Sequence, residues 1–247
     1  MKLSYDLEDP KDIKAVLGLI VLQADETLET EFRSVLTDPS IRLYHSRIPS
    51  GADLNPETLM QMKADLPMAA SLLPKTAEFD VIGYACTSGA TFIGRDTVRK
   101  LIQTHHPDAL VSDPITAVLA AFRKLNLKRL GFITPYVAEV SAAMRELLEN
   151  EGLDIAAFGS FEQMEEALVA RISDQSVLNA LIDMGSRDDI EGLFVSCTNV
   201  NSFGIIEEAE RLINKPVVTS NQALFWHMLT LSDVATKGAG PGKLFNS

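Results

Sequence analysis

Cysteine is nearly absent from this chain of 247 residues, occurring only at Cys86 and Cys197. That count excludes a disulfide scaffold and a zinc site of closely spaced CxxC type. Basic residues are also scarce, with 22 Lys and Arg against 34 Asp and Glu, a formal charge of −12. So acidic a chain lacks the basic footprint that nucleic-acid phosphates need. Small anionic substrates stay open, because helix N-termini make locally positive pockets. The longest apolar run, residues 15–22, is too short to cross a bilayer. The N-terminal stretch MKLSYDLEDPKD is acidic and has no long apolar segment, so no signal or transit peptide is expected and the expected location is the cytoplasm. There is no GxGxxG, no GxSxG elbow and no Walker pattern. His105-His106 has no third ligand spaced for a metal, so no metal site is expected.

What is present is an alternation of short apolar runs and longer helical stretches. Strands are expected at 16–22, 41–46, 81–85, 110–111, 129–134, 154–158, 192–196 and 216–219. Helices are expected at 26–36, 56–73, 94–104, 115–125, 137–151, 161–171, 177–184, 204–213 and 223–231. The strands read as continuous apolar runs, which suits parallel sheets buried on both faces. The expected class is therefore α/β. Asn55-Pro56 has the form of a helix start and Glu151-Gly152 that of a helix end. The tail after Ser232 reads as a loop, closed by Leu244-Phe245, which are expected to dock.

The two halves resemble one another. Leu17-Gly18-Leu19-Ile20 returns as Leu130-Gly131-Phe132-Ile133, 113 residues on. The run from Val81 to Ser88 returns as Gly192 to Asn199, displaced by 111. A third match, Ile115–Val118 with Asn221–Leu224, is displaced by 106. Three matches in one order at nearly one offset point to two pseudosymmetric lobes, each a short, mostly parallel sheet flanked by helices, with the active site in the cleft between them. The expected division is 1–114 with 218–247 as the first lobe and 115–217 as the second.

Taken singly, either cysteine would be an inert core residue. Here both fall at equivalent points of the repeat, at the end of a buried strand, each followed by Thr. Ligands bind at the carboxyl ends of parallel strands. A thiol by a helix N-terminus is expected to have its thiolate stabilised. Thr87, Ser88, Thr198 and Asn199, with free backbone N–H groups, suit a carboxylate or enediolate oxygen. One thiol on each side of a small substrate suits proton removal from one face and delivery to the other, or thiolate attack on an activated alkene, in either case without a cofactor.

At this point the chain resembles the aspartate/glutamate racemase superfamily, in its maleate isomerase and arylmalonate decarboxylase branch. The matching segments are 17–31 (LGLIVLQADETLETE), 81–88 (VIGYACTS), 129–137 (RLGFITPYV), 192–199 (GLFVSCTN), 216–226 (PVVTSNQALFW) and 242–245 (GKLF). The resemblance implies a cofactor-independent, dimeric enzyme with its site between two lobes. It implies that Cys86 is the first-lobe nucleophile or base and Cys197 its partner acid or base. Thr87, Ser88 and Tyr136 match groups that hold a substrate carboxylate, and Thr198, Asn199 and Asn221 match substrate contacts. The decarboxylases of the branch carry Gly where this chain has Cys86, which favours two-thiol chemistry. Maleate isomerases show Ser-Asn where this chain has Ala24-Asp25, and Arg near Val200-Asn201. Residues 22–27 (LQADET) with Cys86–Gly89 look closer to ectoine-utilisation relatives, whose amino-acid-derived substrates would give Asp25 an ammonium or amide to bind. Asp25 equally suits the cap of the following helix.

The leading reading is an isomerase or racemase of a small carboxylate or amino-acid-derived substrate. The alternatives are a decarboxylase using Cys197 alone as proton donor, and a non-catalytic small-carboxylate binding protein. Glu162, Glu165 and Glu166 read as a solvated helix face, His105-His106 as a solvated helix end, His227 as a packing residue, and His45 has no readable partner.

Overall fold

The computed structural model describes residues 1–7, 12–51 and 56–247. In chain order the elements are β1 (Ala15–Leu22), α1 (Leu28–Val35), β2 (Ile41–Ile48), α2 (Pro56–Ser71), β3 (Val81–Ala85), α3 (Thr87–Ile93), α4 (Arg95–Gln103), β4 (Leu110–Ser112) and α5 (Pro114–Leu125). The second half runs β5 (Arg129–Tyr136), α6 (Ala138–Asn150), β6 (Asp154–Gln163), α7 (Glu166–Val169), α8 (Asp174–Gly185), β7 (Gly192–Val195), α9 (Ile206–Ile213), β8 (Val217–Thr219) and α10 (Ser220–Leu231). The proposed cap Asn55 lies outside the described residues.

The strands form two four-stranded parallel sheets, ordered β2-β1-β3-β4 and β6-β5-β7-β8. The repeat seen in the sequence is also the register. Leu17 pairs with Val81 in the first sheet, and Leu130 pairs with Gly192 in the second. Ile82 pairs with Val111, and Leu193 with Val217. In both sheets the chain steps outward from the first strand, then back across it to the third. The carboxyl ends of β1 and β3, and of β5 and β7, therefore flank a topological switch point, where open parallel sheets form a crevice.

Each helix that follows a fourth strand packs on the opposite sheet. Met228 of α10 lies against Gly83 of β3, where an added Cβ would come within 2.7 Å of its sulfur. Phe122 of α5 meets Phe194 of β7 edge-on at 5.8 Å. Phe194 stacks on Phe132 at 5.4 Å, and Phe225 bridges Phe32 and Phe245. Leu244 and Phe245 are thus docked, as expected for the tail. Among the described residues no helix is long and apolar enough to cross a membrane.

Two local expectations are corrected. The helix expected over 161–171 is largely strand: β6 continues to Gln163, and α7 holds only Glu166–Val169. Pairing with the long β5, up to Tyr136 with Gln163, overrides the local helical pattern across two register shifts. His106 is not a solvated helix end. Its Nε2 lies 3.0 Å from the carbonyl of Ala70, and its ring packs edge-on against Phe79. His227 does find a partner, with Nδ1 2.8 Å from the Ser112 hydroxyl.

Candidate active site

All nine residues singled out in the sequence are buried, and the structure joins them in one enclosed cluster rather than along an open cleft. Eight of them come from the switch points of both sheets, and Asn221 comes from the first turn of α10. Asp25 follows β1, Cys86 follows β3, Tyr136 ends β5 and Cys197 follows β7.

Cys86 caps α3, which lies outside the helices expected from the sequence. Its Sγ accepts the backbone N–H of Gly89 at 3.1 Å and lies 3.6 Å from the Ser88 hydroxyl. Only glycine permits this approach, since a Cβ at position 89 would stand 2.4 Å from the Tyr84 hydroxyl and 2.9 Å from the Cys86 sulfur. Gly89→Ala is expected to destabilise the fold by about 2 kcal/mol through overpacking and to displace the thiol, measurable by urea unfolding and thiol titration.

Cys197 takes a different backbone. Its φ of +100° is one that side-chain-bearing residues rarely adopt and costs about 1–3 kcal/mol. Surrounding bonds hold it there: its N–H donates to Ser220 Oγ at 3.0 Å, and its Sγ accepts the N–H of Asn199 at 3.3 Å. No helix opens at Cys197 itself; a loop of five residues precedes the short 3-10 turn at Phe203–Ile205.

The two cysteine loops cross. Thr87, next to Cys86, donates to Ser220 Oγ at 2.8 Å, the same atom that receives the N–H of Cys197. Thr198, next to Cys197, reaches back to the carbonyl of Ala85 at 3.4 Å. Tyr136 feels both thiols, and its hydroxyl interacts with the thiol of Cys197.

The electrostatics contradict the expectation of stabilised thiolates. Burial pushes Cys86 up to about 12, against the opposing Ser88 hydroxyl and Gly89 N–H, and the charges of Glu166 and Asp25 add to the rise. Burial raises Cys197 as well, followed by the charge of Glu166. One helix terminus does not offset enclosure beside two carboxylates. Iodoacetamide is accordingly expected to label neither cysteine at an appreciable rate at pH 7 in the folded chain. Both should label readily in urea, and peptide mass spectrometry reads the two states. Fast labelling of the folded chain at pH 7 would contradict this placement.

Asn199 and Asn221 work within the protein. The Asn199 side chain accepts the N–H of Glu26 at 2.9 Å and donates to the carbonyl and to Oε2 of Glu166, at 3.1 and 2.7 Å. Its own carbonyl accepts the Thr27 hydroxyl at 3.0 Å. Asn221 donates to the carbonyl of Thr198 at 2.7 Å and to Glu31 at 2.6 Å, while its Oδ1 is buried without a partner. Asp25 fills the capping role, its Oδ1 accepting the N–H groups of Thr27 and Leu28 at 2.9 Å. Burial raises its pKa to about 6, opposed by those N–H groups, the Thr198 hydroxyl and the charge of Arg47.

Three residues of this cluster were not foreseen. Glu166, assigned to a solvated face, is buried at the start of α7, and burial raises it to about 7. Glu31 is buried too and accepts the N–H groups of Ser202 and Phe203 at 2.5 and 2.7 Å. Burial raises it to about 7. Ser220 ties the two cysteine loops together. The only signal in the sequence was proximity, since Glu31 closes the matched run 17–31 and Ser220 precedes Asn221.

Comparison with known proteins agrees with this architecture. A maleate isomerase from Nocardia farcinica (strain IFM 10152) is 26% identical over 238 residues, covering 92% of this chain and 94% of its own length. The structure of a maleate isomerase from Pseudomonas putida S16 with maleate superposes with a TM-score of 0.85 at 24% identity, covering 94% and 97% of the two chains. A cysteine-to-serine variant of the Nocardia farcinica maleate cis-trans isomerase, with a covalently bound succinylcysteine intermediate, superposes with a TM-score of 0.84 at 24% identity, covering 94% and 98%. The family model for arylmalonate decarboxylase matches residues 18–245. That match runs through both sheets and both cysteine loops, and the chain belongs to the arylmalonate decarboxylase family.

Proposed function

We propose that this chain is an isomerase or racemase of a small carboxylate or amino-acid-derived acid, with Cys86 and Cys197 as its paired catalytic groups. The observation that carries the reading is the crossing of the two cysteine loops. The sole thiols of the chain stand at equivalent ends of two like sheets, and the Ser220 hydroxyl links the loop of one to the backbone of the other.

Two thiols beside the crossing of the two loops suit either of two balanced reactions. In racemisation, a thiolate on one face takes the proton from the carbon beside the carboxylate, and the thiol on the other face returns one. In cis–trans isomerisation, the thiolate adds to one alkene carbon and the second thiol gives its proton to the other. Rotation about the new single bond follows, and the same two steps reverse. The succinylcysteine seen in the Nocardia farcinica relative is what the second route forms from maleate. Burial raises the pKa of both thiols, so one proton must first move to a base. Asp25 and Glu166 are the raised carboxylates that act on both thiols. Thr87, Ser88, Thr198 and Tyr136 supply hydroxyls for the substrate carboxylate, while Asn199 and Asn221 hold the loops.

The test is a proton NMR assay in D2O with maleate and with D- and L-aspartate and glutamate, run on the unaltered chain and on Cys86→Ala and Cys197→Ala. Interconversion or solvent exchange lost in both variants supports the reading. Activity that survives Cys86→Ala points instead to single-thiol, decarboxylase-type chemistry. Binding without turnover points to a binding protein.

A further inference from the structure

The chain enters α10 through Thr219, Ser220, Asn221 and Gln222. Thr219 caps the helix: its hydroxyl accepts the N–H of Gln222 at 3.2 Å, and the Gln222 side chain accepts the N–H of Thr219 at 3.3 Å. That reciprocal box satisfies the helix start, so the hydroxyl of Ser220 is free to serve outside its own helix. Ser220 is fully buried, and buried hydroxyls are hydrogen-bonded. Its partners are the Thr87 hydroxyl at 2.8 Å and the backbone N–H of Cys197 at 3.0 Å, one from each cysteine loop. Both lone pairs of the oxygen are then engaged, which suits holding and not attack.

The two thiols are not held alike. Cys86 has an extended backbone, φ −152° and ψ 113°, and the helix it caps fixes its place. Cys197 stands at φ +100°, in the region that favours glycine. A backbone of this kind persists only where its surroundings over-determine it. The angle φ is rotation about the N–Cα bond, and Cys197 is pinned on both sides of that bond. On one side its N–H is turned to Ser220, and on the other its Sγ accepts the N–H of Asn199 at 3.3 Å. Asn221 then holds the carbonyl of Thr198 at 2.7 Å, so the first turn of α10 grips two successive residues of the loop. Because α10 packs on the first sheet, with Met228 against Gly83, a helix seated on one sheet fixes the thiol that follows the other.

We propose that Ser220 is a positioning residue for Cys197: its hydroxyl holds the cysteine in the left-handed backbone and, through Thr87, fixes that thiol against the loop of Cys86. This rests on the reading of the two cysteines as the catalytic pair. Without the hydroxyl, the N–H of Cys197 is buried with no acceptor, and rotation of φ to negative values relieves both that cost and the strain. The same rotation swings the side chain out of its place between the loops, and a misplacement of about 1 Å in a reacting group costs about a hundredfold in rate.

The scarcity of cysteine makes the test direct, because a chain grown on isotope-labelled cysteine shows backbone signals from Cys86 and Cys197 alone, assigned with Cys86→Ala and Cys197→Ala. In the near-isosteric Ser220→Ala, the Cys197 amide should exchange with solvent about tenfold or more faster. Its Cα and Cβ shifts should move from the left-handed to the ordinary backbone range, with circular dichroism unchanged. Thr87→Val removes the other bond to the same oxygen and leaves the Cys197 N–H its acceptor, so it should move the Cys86 signals and leave those of Cys197 in place. With whichever of maleate, D- and L-aspartate and D- and L-glutamate the unaltered chain converts in D2O, Ser220→Ala should lower kcat about a hundredfold while KM stays within about twofold. Cys197 signals that stay in place in Ser220→Ala overturn the proposal, whether or not any of these acids is converted. Cys197 signals that move as far in Thr87→Val overturn it too. A relaxed Cys197 with unchanged kcat removes the positioning role and leaves the thiol pair. Turnover that survives both cysteine variants removes the thiol pair and the role in catalysis together, while the shifts still report the hold.

Discussion

Cys197→Ala is expected to lower kcat by at least about a thousandfold, and Cys86→Ala to do the same. In the proposed mechanism each removes a group that moves a proton or forms a bond in the transition state. Neither thiol adds much to ground-state affinity, so KM should change little. Because the two groups act as one unit, the double variant should be little worse than either single one. This non-additivity separates the pair from two independent contributors, whose losses would multiply. Single-thiol chemistry gives a different pattern, with Cys86→Ala keeping most of its activity. The folds should survive: Cys86 costs one cap of a seven-residue helix, about 1 kcal/mol. Thermal melts would verify that before the rates are compared.

The second large effect is on stability, and it sets two buried glutamates against each other. Asp25, Glu31 and Glu166 hold pKa values of about 6, 7 and 7 in the folded chain, raised above the unfolded values. Between about pH 4 and pH 7 the folded form therefore keeps protons that the unfolded form has released. Stability falls as pH rises through that window and reaches its low plateau above the folded pKa values. At pH 8 each ionised, poorly solvated carboxylate opposes folding by a few kcal/mol at most. Glu166→Gln removes one such charge and keeps its shape. It is expected to stabilise the chain at pH 8 by about 2 kcal/mol, or some 5 °C in Tm for a chain of this size, and to change little at pH 4. The net charge of −12 also makes the whole chain less stable at high pH, so the informative quantity is the difference between variant and parent at each pH. A Tm difference that does not grow with pH would contradict the buried placement of Glu166.

Glu31→Ala should do the opposite at every pH. It strands the N–H groups of Ser202 and Phe203 and the amide of Asn221, which now converge on its carboxylate. Loss of their acceptor is expected to cost about 3 kcal/mol or more. Activity should fall as well, because Asn221 holds the carbonyl of Thr198, next to Cys197. Glu31 is an acceptor for several converging donors, whereas the carboxylate of Glu166 receives the amide of Asn199. The difference lies in the donors around them, not in burial or pKa.

The strands, the repeat and the paired thiols were legible in the sequence for one physical reason. A parallel strand covered on both faces is a continuous apolar run whichever fold encloses it, so all eight strands of the two sheets stand where those runs do. Matching runs at matching offsets then impose the same register, which is why Leu17 with Val81 and Leu130 with Gly192 occupy equivalent pairs. The positions of Cys86 and Cys197 at two strand ends follow from those runs alone. Environment does not. Glu166 lies in an acidic stretch that reads as solvated, and only the extension of β6 along β5 carries it into the interior. Helix α3 depends on the Cys86 cap and on a glycine fitted under Tyr84. The thiols sit at strand ends, as the sequence implied, but their protonation is set by enclosure beside Asp25 and Glu166. Desolvation and the field of a distant segment are properties of the packed chain, so only the tertiary structure could decide them.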